Sequence, residues 1–154
     1  VIAGDMFDRD VDGIRLIPEV KGLFGEVDFR VIILPGNHDY RLFQMGHYFG
    51  ENVIVIDDYK KGYMIGDVMF WGLPFEEDIN EEDVLERLYM MSELMEVERT
   101  NILVFHGELI TDRFSFGDFG DEGKKRYMPI RKDFFKELNV SYVLAGHFHT
   151  NFNT

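Results

Sequence analysis

Apolar residues along this chain arrive in short runs that stop abruptly at polar ones, the pattern of strands buried inside an α/β sheet. Val1-Ile2-Ala3 runs into Gly4-Asp5, and residues 29–34 run into Pro35-Gly36-Asn37-His38-Asp39. Residues 53–56 form a third run, residues 102–105 end at His106-Gly107, and residues 142–145 end at Gly146-His147-Phe148-His149. Residues 63–65 and 68–71 flank Gly66-Asp67, whose leading glycine marks a tight hairpin, so antiparallel strands join the parallel start. Helical spacing fills the gaps. Ile17, Val20, Leu23 and Phe24 share one face and predict a helix over residues 17–24, while Val84, Leu88, Met91 and Met95 predict a longer one over residues 81–98. Short helical pieces are expected over 41–49 and 133–138. Residues 111–129 show neither period and read as a long glycine-rich loop. The alternation predicts one α/β domain over residues 1–154, built on a mixed sheet.

Composition narrows the chemistry. With 45% hydrophobic residues in 154, the chain can bury a core of ordinary size. It has no cysteine, so a metal would have to be held by imidazole, carboxylate and amide oxygen, a set that suits manganese, iron or zinc. No apolar run approaches the roughly 20 residues that span a bilayer and no signal peptide opens the chain, so a cytoplasmic protein is expected. A formal charge of -13 argues against nucleic-acid binding by a blanket of positive potential. The chain opens on Val1 inside what reads as a strand and stops just after a histidine-rich turn, and is therefore read as a fragment truncated at both ends.

Several stretches carry candidate sites. Asp8-Arg9-Asp10-Val11-Asp12-Gly13 with Glu19 has the alternating carboxylates, sixth-position glycine and twelfth-position glutamate of a calcium loop. An EF-hand needs a helix on each side, whereas strand and turn precede Asp8 and Pro18 falls where the second helix should be running. A solvated loop supplying negative charge to a helix start is expected instead, with a non-catalytic calcium-binding or interaction module kept as the alternative from another class. His47 stands alone and is expected at the surface or in packing. Lys124-Lys125-Arg126 beside Phe114, Phe116 and Phe119 could touch a phosphate backbone. The strongest pattern lies in the histidines. His38, His106, His147 and His149 all fall at or just past predicted strand ends, and in such a sheet those ends converge on one edge. Asp5, Asn37 and these histidines should therefore meet in one cleft. The two imidazoles of Gly-His-Phe-His point the same way, as ligands of neighbouring metals should. A carboxylate such as Asp5 can bridge two cations about 4 Å apart, the arrangement used for in-line displacement at phosphorus.

Gly4-Asp5-Met6-Phe7-Asp8, Gly36-Asn37-His38-Asp39, His106-Gly107 and Gly146-His147-Phe148-His149, in this order, resemble the calcineurin-like metallophosphoesterase superfamily over nearly the whole chain. The cadence of the first, second and last is similar to the SbcD/Mre11 branch of DNA-repair exonucleases, with Asp8 fitting the bacterial form. The resemblance implies a four-layer mixed β-sheet sandwich flanked by helices, here without its first strand and C-terminal elements. It implies a phosphodiester hydrolase with two divalent ions, manganese first and iron or zinc as alternatives. Asp5 would bridge the metals, Asn37, His106 and His147 would complete one site, and His149 would serve the other. His38 would sit by the substrate phosphate as the catalytic residue, with Asp39 and Asp8 supporting from behind. Implied partners are DNA and an SbcC/Rad50-like ATPase, with a second copy of the chain as another candidate and no membrane. A small-molecule or cyclic-nucleotide phosphodiesterase or phosphatase is the alternative within the superfamily. The family's opening Asp-x-His motif is missing from this sequence, so the fragment by itself is expected to be inactive or impaired.

Overall fold

Val31–Leu34 forms a strand buried along its whole length, because both of its faces are covered. The computed structural model describes residues 1–110 and 127–147, and the elements around this strand follow from the alternation of its side chains. It is β2, between β1 (Ile2–Ala3) and β3 (Val53–Val55) in a parallel three-stranded sheet. Ile33 faces α1 (Asp10–Gly25) and α2 (Tyr40–Gln44), packing with Ile17, Leu42 and Phe43. Ile32 and Leu34 face the other way and meet Ile56 and Val104.

Val104 belongs to a second sheet, ordered β4-β5-β6-β9: β4 (Tyr63–Ile65), β5 (Val68–Leu73), β6 (Thr100–His106) and β9 (Tyr142–Gly146). The β4–β5 hairpin is antiparallel, and β5, β6 and β9 run parallel. Neighbours of Val104 along β6, Leu103 and Phe105, point to the far side, where they pack with Val84, Leu88 and Met91 of α3 (Glu81–Glu93) and Phe135 of a 3-10 helix (Lys132–Glu137). The layers are thus helix, sheet, sheet, helix, the mixed sandwich that the resemblance implies, where the alternation alone predicted a single mixed sheet. Each fully buried Ile, Leu or Phe contributes roughly 1.5–3 kcal/mol. A short parallel pair, β7 (Leu109–Ile110) with β8 (Ile130–Arg131), was not foreseen, since two-residue strands leave no periodicity to detect.

The largest departure is α1, which begins at Asp10, seven positions before the predicted start, and runs through Pro18. Ile17 lies buried on its inner face, whereas Leu23 points to solvent. Asp10 and Asp12 occupy the first turn, where carboxylates complement the helix dipole. The Asp10 carboxylate accepts the Leu42 N–H at 3.0 Å, and Asp12 pairs with Arg9. A calcium loop must wrap its ligands around an ion, and a helix over these residues removes that geometry. The calcium-binding alternative is therefore corrected: these acids start a helix and tie it to α2. α3 also ends early, at Glu93 rather than Glu98, although Met95 stays buried beyond it. Among the described residues no helix is long and apolar enough to cross a membrane.

Candidate metal centre

β1 is followed by Gly4 (φ 90°) and Asp5 (φ 50°), both left-handed, which turns the Asp5 side chain across the strand ends. Glycine adopts such a φ without penalty, and Asp tolerates it better than most residues. Gly36, beyond β2, passes so close that a Cβ there would overlap the Asp5 carboxylate. Asp5 Oδ1 accepts the His38 N–H at 3.0 Å, and Oδ2 lies 3.1 Å from His106 Nε2. Burial pushes the Asp5 carboxyl up. The hydrogen bond and charge of His106, with the His38 N–H, outweigh that and hold it below the usual carboxylate range.

His106, at the end of β6, is 1% exposed. Its Nδ1 donates to the Ala3 carbonyl at 2.8 Å, which can only accept, so Nε2 is the nitrogen left facing the site, with a proton when the ring is cationic and a lone pair when it is neutral. There it meets Asn37 Oδ1 at 2.9 Å as well as Asp5. His147 follows β9 with φ 101°, its Nδ1 3.2 Å from Asn37 Oδ1 and its ring edge-on to His106 at 5.3 Å. The donor atoms of Asp5, His106 and His147 all lie within 4.8 Å of one another. Electron pairs converging this tightly repel unless positive charge sits among them, either a proton on imidazole or a metal cation. The donor set, two imidazoles, a carboxylate and an amide oxygen, fits a divalent first-row ion. A carbonyl behind the far nitrogen of His106 is the support that metal-bound histidines use.

A sequence model of the calcineurin-like phosphoesterases matches residues 1–151. The chain belongs to this family. Calcineurin-like phosphoesterases are metal-dependent phosphoester hydrolases, and this one gathers its candidate ligands from both sheets of the sandwich. No curated protein matches the chain.

Beside the cluster, a cleft of about 450 Å³ is lined by the segments after β1 and β2, Asn37 and His38 among them, and by Phe75, Glu77 and Tyr127. His38 Nδ1 donates to the Asp8 carbonyl at 2.9 Å, and the Asp8 carboxylate lies 3.8 Å away. Asp39 is fully buried; its oxygens accept the Gly36 N–H at 2.8 Å and the Phe7 N–H at 3.1 Å. Burial pushes the Asp39 carboxyl up, against the pull of those N–H groups. Asp39 therefore clamps the backbone that carries His38, and it is the Asp8 carbonyl that holds the His38 ring.

This calcineurin-like phosphoesterase thus brings Asp5, Asn37, His38, His106 and His147 together, with Asp8 and Asp39 at the margin. His149 and Lys124, Lys125 and Arg126 lie outside the described residues, as do Phe114, Phe116 and Phe119. His47 is partly buried in the α2–β3 connection, apart from the cluster, its Nε2 buried without a hydrogen bond. Two residues of the site region went unread in the sequence: Phe75, which lines the cleft beside Tyr127, and Glu108, buried just past His106-Gly107. Glu108 follows a candidate ligand by two positions, and that adjacency was the available clue.

Proposed function

We propose that this chain is a two-metal phosphodiester hydrolase whose substrate is DNA and whose preferred ion is manganese. The observation that carries the reading is the convergence of Asp5 Oδ2, Asn37 Oδ1 and His106 Nε2 within hydrogen-bond distance, with His147 behind them. Asp5, Asn37, His106 and His147 would hold one ion, and Asp5 would share the second with His149. Divalent ions supply charge neutralisation for the phosphoryl oxygens and a nucleophile at neutral pH. The chain's own residues do the rest. The Ala3 carbonyl fixes His106 in the tautomer that offers Nε2. His38 lines the cleft, and with Nδ1 engaged by Asp8, the proton it hands to a leaving oxygen is the one on Nε2. Asp39 keeps that ring in place through the backbone.

The similarity to SbcD/Mre11 nucleases supports DNA as substrate, an ATPase partner of the SbcC/Rad50 kind, a second copy of the chain as another partner, and a cytoplasmic location. A small-molecule phosphodiesterase is the second reading, favoured by a specific observation: Asp8, Asp10 and Glu77 outnumber Arg9 around the cleft, a poor lining for a long polyanion. The deciding experiment is manganese-dependent release of nucleotides from end-labelled duplex DNA by the full-length parent protein, run beside a simple phosphodiester and with His38→Ala as control. Release that falls by about 10²–10⁴ in the variant supports the nuclease. Turnover of the simple diester alone moves the assignment to the second reading, and silence on both defeats the hydrolase assignment.

A further inference from the structure

His147 is held against the preference of its own backbone. Its φ of 101° lies in the left-handed region, which a residue with a side chain keeps only where its surroundings hold it there. Part of that hold comes from within the candidate centre: the ring meets His106 edge-on at 5.3 Å, and Nδ1 lies 3.2 Å from Asn37 Oδ1. Another part comes from outside it. Tyr127 packs on the same imidazole, with 5.5 Å between ring centroids and 50° between planes.

Tyr127 is in turn tied to the segment that carries His106. Glu108, two positions past His106 and 2% exposed, donates its N–H to the Tyr127 carbonyl at 2.9 Å, and its carboxylate accepts the Tyr127 N–H at 3.2 Å. The Glu108 carbonyl accepts the Ile130 N–H at 2.9 Å, which runs on into the β7–β8 pair. Between them Met128 is buried with φ 47°, and Gly107 passes so close that a Cβ there would come within 2.7 Å of the Met128 carbonyl oxygen. Phe75 backs the Tyr127 ring at 6.0 Å. The segment after β6 thus governs two imidazoles, His106 directly and His147 through Tyr127.

We infer that Tyr127, fixed by the buried Glu108, is a positioning residue for His147, and that this link sets how tightly the candidate centre holds a divalent cation. The inference rests on the reading of Asp5, Asn37, His106 and His147 as metal ligands. Tyr127 acts on His147 by contact between rings, so a phenylalanine in its place serves the same purpose. Glu108 acts one step further back, on the backbone that presents the Tyr127 ring.

The test is a double-mutant cycle on manganese affinity, measured by calorimetry on the full-length parent protein. Tyr127→Leu should weaken manganese binding by about two- to tenfold, the worth of one aromatic contact, and Tyr127→Phe should keep it. In a His147→Ala background Tyr127→Leu should cost nothing further, because the residue it acts through is gone. Glu108→Ala, which loosens Tyr127 without removing its ring, should show the same pattern at smaller size. Equal losses in both backgrounds, or no loss in either, overturn the inference. A second readout needs no metal: nuclear magnetic relaxation at the His147 ring carbon Cε1 should report a fixed ring in the unaltered protein and a mobile one in Tyr127→Leu and Glu108→Ala, with the His38 ring unchanged. If the unaltered protein takes up no manganese, the metal reading fails and ring relaxation alone decides the inference, as it does where His147→Ala binds too weakly for the cycle. A His147 ring freed by the Tyr127 and Glu108 variants upholds the link. Manganese uptake with a His147 ring indifferent to both upholds the metal reading and defeats the link.

Discussion

Gly36 shows how little room the candidate centre leaves: the backbone between β2 and Asn37 passes against the Asp5 carboxylate with space for hydrogen only. Gly36→Ala should displace Asp5 or Asn37 and lower manganese affinity by about 10–100-fold, the usual effect of disturbing a ligand's support. Titration of the metal by calorimetry checks this, with an unchanged far-ultraviolet spectrum showing that the fold survives. Much of this residue-level picture was legible in the sequence. Asp5, Asn37, His38, His106 and His147 each sit where an apolar run stops, and strand ends converge by topology rather than by detail. The supports were not legible. The Ala3 carbonyl behind His106 and the Asp8 carbonyl behind His38 are backbone atoms, which every residue has, so no residue type marks them. Asp39 illustrates the same limit: its place beside His38 in sequence pointed to the ring, whereas burial made it a partner for two N–H groups of the backbone.

At the scale of elements, the joint between β6 and β9 depends on one buried amide. Asn101 accepts the indole N–H of Trp71 at 3.1 Å and donates to the carbonyls of Glu96 at 2.8 Å and Asn139 at 3.0 Å. Replacing it with leucine would leave the buried indole N–H without its partner, whereas the carbonyls of the exposed Glu96 and Asn139 can turn to water. Asn101→Leu should therefore lose about 1–3 kcal/mol in urea unfolding, and because Trp71 is the single tryptophan, its emission should report the disturbance directly. Element boundaries were legible where composition and geometry agree. Asn80 and Asp83 close a reciprocal capping box at the start of α3, and the predicted and observed starts coincide at Glu81. They were illegible at α1, where Pro18 argues against a helix already running upstream of it although the helix absorbs it by giving up one N–H bond. The run 29–34 signalled a buried strand, of which the structure keeps 31–34, yet four apolar residues in a row cannot say which of them face helices and which face a second sheet.

Across the whole molecule, 29 acidic against 16 basic side chains leave a surplus of negative charge that individual groups feel. Burial, together with Asp57 and Asp58, pushes the Tyr63 phenol up to about 12. Its neutral form is thus favoured by the fold, so this contribution to stability is complete below pH 10 and is lost as pH rises through 10 to about 12. Phenolate absorbance should show one tyrosine ionising late, and Tyr63→Phe should remove that late step. The layered architecture has a consequence in time as well as in space. Asp5 and Asn37 come from one sheet and His106 and His147 from the other, so Asn37 meets a residue 110 positions away and Ala3 one 103 away. Contacts of such long separation close late in folding, after local helices and the hairpin have formed. Refolding followed by circular dichroism and by uptake of manganese should therefore give two clocks, with the metal trace lagging, and simultaneous traces would show that the ion instead recruits the two halves to each other.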